Sequence, residues 1–179
     1  GINPGSNVGS SVYHSGTLGA AFTARNAGIT GIAVSQAVTG WGIEGQGIEE
    51  VLKNQLWETA AEVAKTAVSS IISEPPKQPA VLNINVPNKP LNELKGWRYT
   101  EVAKRSTRSM MEAKLEPKPG HENSYRVLMS WSDPEIQPIE TDVGAVMNDY
   151  ASLTWIDSLK AISPSGTEMV DESLNELFD

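Results

Sequence analysis

A glycine-rich stretch running straight into a helix start constrains this chain more than any other feature. Gly1-Ile2-Asn3-Pro4-Gly5-Ser6-Asn7-Val8-Gly9 holds three glycines, one proline and two asparagines, and Ser15-Gly16-Thr17 follows closely. So little side-chain bulk leaves backbone N–H groups open toward an anion or a metal-bound ligand. Ser15 reads as an N-cap, with Gly16 and Thr17 as the first turn of a helix through Leu18, Ala21, Phe22 and Arg25 that stops at Gly28. The unsatisfied amides and positive dipole end of a helix start suit phosphate. Glycine at the first helical position costs about 1 kcal/mol relative to alanine. That cost fits close approach of a ligand to the backbone. A plain connection between two elements is the alternative that spacing alone leaves open.

Composition narrows the classes. The chain has 179 residues, enough for one domain with a sizeable core. Its formal net charge of −8 argues against general nucleic-acid binding, which wants a basic face. It has no cysteine, so neither a disulfide framework nor thiolate chemistry is available. No apolar run approaches the ~20 residues of a membrane span. The sequence begins with Gly1 rather than methionine, so the absence of a targeting segment carries little weight.

Along the chain, residues 29–35 form a short apolar run bounded by glycines, which fits a buried parallel strand. Strand after helix after loop is the rhythm of a doubly wound α/β sheet, whose ligands sit at the carboxyl ends of strands. Gly40-Trp41-Gly42-Ile43-Glu44-Gly45 matches G-x-G-x-x-G by letter. Four residues separate it from its strand and Gly47 delays the helix, so it reads as a loop near the site, with Trp41 as a lid contact or a packed loop residue. Residues 49–73 predict one long helix, since Leu52, Leu56, Ala60, Val63, Ala67 and Ile71 share a face and Pro75-Pro76 stop it.

Residues 81–86 alternate Leu82, Ile84 and Val86 with Asn83 and Asn85, a strand whose asparagines serve strand-end hydrogen bonding or a ligand cleft. Residues 95–118 hold seven of the fourteen Lys and Arg. That local charge reads as a solvated hairpin protecting a sheet edge, or as an attraction for phosphate. Residues 97–131 predict an antiparallel extension, Thr141 or Asp142 caps a short helix, and residues 150–156 form another strand. The end, residues 168–179, carries five acids and reads as a frayed or weakly docked acidic tail. The expected organisation is an α/β core over 1–94, a β-hairpin extension for oligomerisation over 95–139, a return helix and strand over 140–158, and the tail over 159–179.

The opening nonapeptide, the Ser-Gly-Thr turn and Gly31-Ile32-Ala33-Val34-Ser35 together resemble the central motif block of the SurE family, the stationary-phase survival proteins that act as metal-dependent 5'-nucleotidases. Leu82-Asn83-Ile84-Asn85-Val86-Pro87 and Thr141-Asp142-Val143, running on to Tyr150-Ala151-Ser152-Leu153-Thr154, are similar in the same order, so the likeness covers residues 1 to about 157. The resemblance implies the C-terminal part of a Rossmann-type three-layer α/β sandwich with an antiparallel β extension. It also implies hydrolysis of nucleoside 5'-monophosphates with one divalent cation per subunit, Mg²⁺ or Mn²⁺.

In the family, two adjacent aspartates, a serine and the asparagine of the Gly-Ile-Asn motif hold the metal. Only the asparagine has a counterpart here, Asn3. Asn7, Ser15, Gly16 and Thr17 match the residues that hold the phosphate. Ser10-Ser11 stand where relatives often carry acids. His14 stands where many carry tyrosine and is a candidate acid for the leaving oxygen or a residue of the pocket rim. The resemblance further implies a cytoplasmic homodimer or homotetramer. With no aspartate pair present, the chain alone is expected to be nearly inactive. A phosphate- or nucleotide-binding module without hydrolysis is the second reading. A serine hydrolase is disfavoured, because Gly5-Ser6-Asn7-Val8-Gly9 is not a G-x-S-x-G elbow.

Overall fold

The computed structural model describes residues 1–40, 48–105, 107–108, 110–157, 165–166 and 168–178. In chain order its elements are β1 (Asn3–Pro4), a 3₁₀ turn (Gly9–His14), α1 (Gly16–Asn26), β2 (Gly31–Gln36), α2 (Ile48–Lys53), α3 (Trp57–Ser73) and β3 (Val81–Val86). There follow β4 (Gly96–Tyr99), β5 (Met110–Pro117), β6 (Tyr125–Trp131), α4 (Asp142–Met147), β7 (Tyr150–Ile156) and α5 (Glu168–Phe178).

The main sheet runs β1-β2-β3-β7-β4. Its first three strands are parallel, β7 is antiparallel to β3, and β4 is parallel to β7. Period-2 alternation sends the side chains of β2 and β3 into two cores. Ala33 and Val81 pack with Leu18 and Ala21 of α1 on one face. Leu82, Ile84 and Val86 pack with Ala60, Val63 and Ala67 of α3 on the other. Each fully buried Leu, Ile or Val side chain contributes roughly 1.5–3 kcal/mol. The expected three-layer α/β arrangement is therefore present, with an additional antiparallel pair, β5 with β6. Gly31 permits the tight packing of α1 on β2, since a Cβ there would overlap the backbone carbonyl of Ala21.

Several expectations need correction. The long helix over 49–73 is two helices, broken between Lys53 and Trp57. Side chains replace the helical ladder at the break: Gln55 Nε2 donates to Val51 O at 2.7 Å and Trp57 Nε1 donates to Leu52 O at 3.1 Å. Asn88 Oδ1 accepts the Leu56 N–H at 2.9 Å, and Gln55 clasps both backbone groups of Thr39 at 3.1 Å. Helical periodicity does not register such side-chain competition.

Residues 96–99, assigned from sequence to the extension, pair with β7 as part of the main sheet, which leaves β5 and β6 as the separate hairpin. The tail contains a helix, α5, whose apolar Met169, Val170, Leu174 and Leu177 are exposed. Trp41 and the remainder of the Gly-x-Gly-like loop through Gly47 lie outside the described residues. An apolar cavity of about 510 Å³, lined by Val63, Ile71, Leu94, Trp97, Leu153 and Trp155, separates α3 from the β7–β4 side of the sheet.

Candidate functional site

The site lies at the carboxyl ends of β1, β2 and β3. Asn3 pairs in register with Ser35, and the Gly5 N–H extends that pairing to Gln36 O at 2.8 Å. Gly5, at φ +95°, then turns the chain off the sheet. The loop crosses the α1 face and re-enters at Gly9, whose φ is +54° and whose Cβ position lies 2.8 Å from Arg105 O. Both turns require a residue without a Cβ. The 3₁₀ turn delivers the chain to Ser15, whose Oγ accepts the Leu18 N–H at 3.1 Å as the N-cap of α1.

Asn3 and the helix start are brought together. Asn3 Nδ2 donates to Gly5 O at 2.8 Å, which turns Oδ1 toward α1, and Thr17 Oγ1 donates to that oxygen at 3.2 Å. The first-turn amides of Gly16 and Thr17 have no intrahelical acceptor. Gly16 is exposed, and no atom lies within 4 Å of where its Cβ would stand. Asn3, Ser15, Gly16 and Thr17 thus form one half-open corner in which N–H and O–H donors and the positive end of an eleven-residue helix converge.

Asn7 sits deeper, only 8% exposed. Its Nδ2 donates to Ser35 Oγ at 2.8 Å, and its backbone is held by Asn83 and Asn85. His14 closes the 3₁₀ turn with its side chain exposed.

Sequence reasoning missed a polar layer beneath this corner. The register places Asn3, Ser35, Asn85, Ser152 and Arg98 in one row across all five strands. Ser35, Asn85 and Ser152 are fully buried. The signal lay in the Asn-x-Asn alternation of β3, which reads equally as a wet face until something packs on it.

Asp142 is neither a helix cap nor an available acid. Thr141 caps α4 through its Oγ1 on the Gly144 N–H at 3.0 Å. The Asp142 carboxylate instead accepts N–H groups from Gly9 at 3.0 Å, Ala103 at 2.9 Å and Val143 at 2.8 Å. Burial pushes this carboxyl above the usual range, against the downward pull of those three bonds.

Mg²⁺ and Mn²⁺ prefer near-octahedral oxygen shells with one or more carboxylates. Asn3 Oδ1 offers one neutral oxygen, and the Asp142 carboxylate is committed to amides. No group of three His, Cys, Asp or Glu able to hold a metal ion occurs among the described residues. The described residues therefore do not complete a divalent-cation shell.

A mainly parallel sheet with a glycine loop and a helix start at its strand ends defines a doubly wound α/β protein with its ligand corner at the switch from strand to helix. The sequence pattern described as "Survival protein SurE" matches residues 1–109, and the chain belongs to the SurE family. The 5'/3'-nucleotidase SurE of Erwinia tasmaniensis is 32% identical over 158 residues, covering 86% of this chain and 54% of that protein. The 5'-nucleotidase SurE of Haemophilus influenzae is 34% identical over 158 residues, covering 88% and 56%. The crystal structure of a SurE protein from Aquifex aeolicus superposes with a TM-score of 0.68 at 27% identity, over 100% of this chain and 64% of that one. The chain thus spans little more than half the length of the curated relatives it matches.

Proposed function

We propose that this chain forms the phosphate-holding part of a metal-dependent phosphatase acting on nucleoside 5'-monophosphates. The observation that carries the reading is the contact of Thr17 Oγ1 with Asn3 Oδ1 beside the open first turn of α1. A phosphoryl group seated there would accept from the amides of Gly16 and Thr17, gain from the helix dipole, and lie against the one side-chain oxygen that matches a family metal ligand. Similarity to relatives named 5'-nucleotidase SurE supports the same chemistry. His14, exposed beside Ser15, is proposed as a residue of the rim of this corner, with the acid for the leaving oxygen as its alternative role.

The cation, Mg²⁺ or Mn²⁺, would polarise a phosphoryl oxygen or activate a water. Its carboxylate ligands have no counterpart among the described residues, so the 179-residue chain is expected to turn over substrate poorly by itself. Incubation of the chain with a nucleoside monophosphate and Mn²⁺, followed by phosphate release, tests this. Vigorous turnover would show that its ligand set is complete. Binding without turnover and without metal dependence would favour a second reading, a nucleotide-binding module, which the committed state of the Asp142 carboxylate supports.

The partner proposed for the β5–β6 hairpin is a second copy of the chain, in a homodimer or homotetramer. Cytoplasmic placement belongs to the same proposal. None of the described helices is long and apolar enough to cross a membrane.

A further inference from the structure

The geometry points to Asn85 as a positioning residue that holds the phosphate loop in its working shape through the backbone of Asn7, an inference that rests on the phosphate-binding reading of that loop. Asn85 is fully buried near the end of β3, so it is not placed to touch a ligand. Its carboxamide meets both backbone groups of one residue: Oδ1 accepts the Asn7 N–H at 2.7 Å and Nδ2 donates to Asn7 O at 3.2 Å. Asn83, two residues earlier on the same face, adds a second donor to Asn7 O at 2.9 Å.

The loop needs such support. Between Gly5 and Gly9, both left-handed, the chain has left the sheet and has no neighbouring strand. A side-chain amide supplies the donor and acceptor that a strand would otherwise provide. The clamp fixes Asn7, Ser35 Oγ orients its side chain at 2.8 Å, and Asp142 anchors the far end at Gly9. The near end is tied through Asn3 to Thr17. Loss of the Asn85 carboxamide would leave the buried Asn7 N–H unpaired while Asn83 still donates to the Asn7 carbonyl, and the loop would shift to rehydrate that N–H. A shift that costs one hydrogen bond to a charged ligand would weaken binding roughly tenfold or more.

The test uses the full ¹⁵N-labelled chain titrated with inorganic phosphate, read at the amide signals of Gly16 and Thr17. The dissociation constant is expected to rise roughly tenfold in Asn85→Ala. Asn85→Ser, which retains one small polar group and keeps the experiment workable should alanine fail to fold, is expected to weaken binding as well. Asn88→Ala is the control for mere loss of stability. Asn88 bonds to Gln36, Thr39, Gln55 and Leu56 just beyond the same strand, and none of those bonds reaches the phosphate loop. It should lower the melting temperature yet leave phosphate affinity unchanged. Wild-type affinity in the Asn85 variants, or equal weakening in Asn88→Ala, overturns the clamp while leaving the phosphate site standing. Failure of the wild-type amides to respond to phosphate overturns the site and the clamp with it.

Discussion

Asn3 and Thr17, fourteen residues apart, meet side chain to side chain, with Thr17 Oγ1 donating to Asn3 Oδ1 at 3.2 Å. The contact joins the end of the edge strand to the start of the first helix. It orients the amide oxygen that the family resemblance marks as a metal ligand. Thr17→Val keeps the shape and removes the hydroxyl. One part-buried hydrogen bond is worth about 1 kcal/mol, so the melting temperature is expected to fall by about 2–4 °C. Affinity for a nucleoside monophosphate is expected to drop by up to about fivefold, since about 1.4 kcal/mol is a factor of ten and about 1 kcal/mol is lost. Calorimetry reads both quantities, and unchanged affinity would remove Thr17 from the cradle.

Gly16→Ala separates stability from binding. The position is the first of α1, exposed, with no atom within 4 Å of its Cβ site. Alanine there is expected to stabilise the helix by up to about 1 kcal/mol. A methyl group over the first turn would at the same time keep a phosphoryl group from the backbone amides. A raised melting temperature with weakened phosphate binding is the expected pair of results. Raised stability with full binding would mean that nothing approaches the backbone at Gly16.

Asp142 ties three segments together through the N–H groups of Gly9, Ala103 and Val143. Asp142→Asn puts an NH₂ group against at least one of those donors and is expected to cost about 1–3 kcal/mol in urea unfolding. The sign of the pH effect follows from the raised carboxyl. Its folded value lies above the unfolded 3.8. Protonation therefore favours the folded state, and the contribution is complete below 3.8 and lost as pH rises through the folded value. The stability difference between wild type and Asp142→Asn should be largest in acid and shrink across that window. A difference that instead grows with rising pH would mean that the three N–H bonds outweigh the burial.

The β5–β6 hairpin presents one apolar face, on which Leu115 opposite Val127 and Tyr125, Met129 and Trp131 are each more than half exposed. A lone two-stranded hairpin is marginal in water. Coverage by a second copy is the proposed resolution. Light scattering of the wild type is expected to give at least twice the 19.3 kDa chain mass, and Val127→Lys is expected to return the monomer with β3 and β7 intact. A monomeric wild type would remove the second copy as the partner of this face.

The sequence by itself determined the local pieces: the cap at Ser15, the glycine stop after α1, the exact span of β3 and β7, and the glycine loop that no bulky residue would permit. Those pieces depend on neighbours within a turn or on period-2 burial, which one stretch of sequence carries. Tertiary structure alone decided the rest. It broke the helix at Gln55, because the competing acceptors and donors come from Thr39 and Asn88 on other segments. It gave β4 to the main sheet by register with β7. It turned Asn83 and Asn85 from an ambiguous polar face into a clamp on Asn7, and it chose Thr141 over Asp142 as the cap, leaving Asp142 as an anchor for Gly9. Each of these is a hydrogen bond between residues far apart in the chain, and a buried polar side chain acquires its role only when packing presents the one partner it can reach.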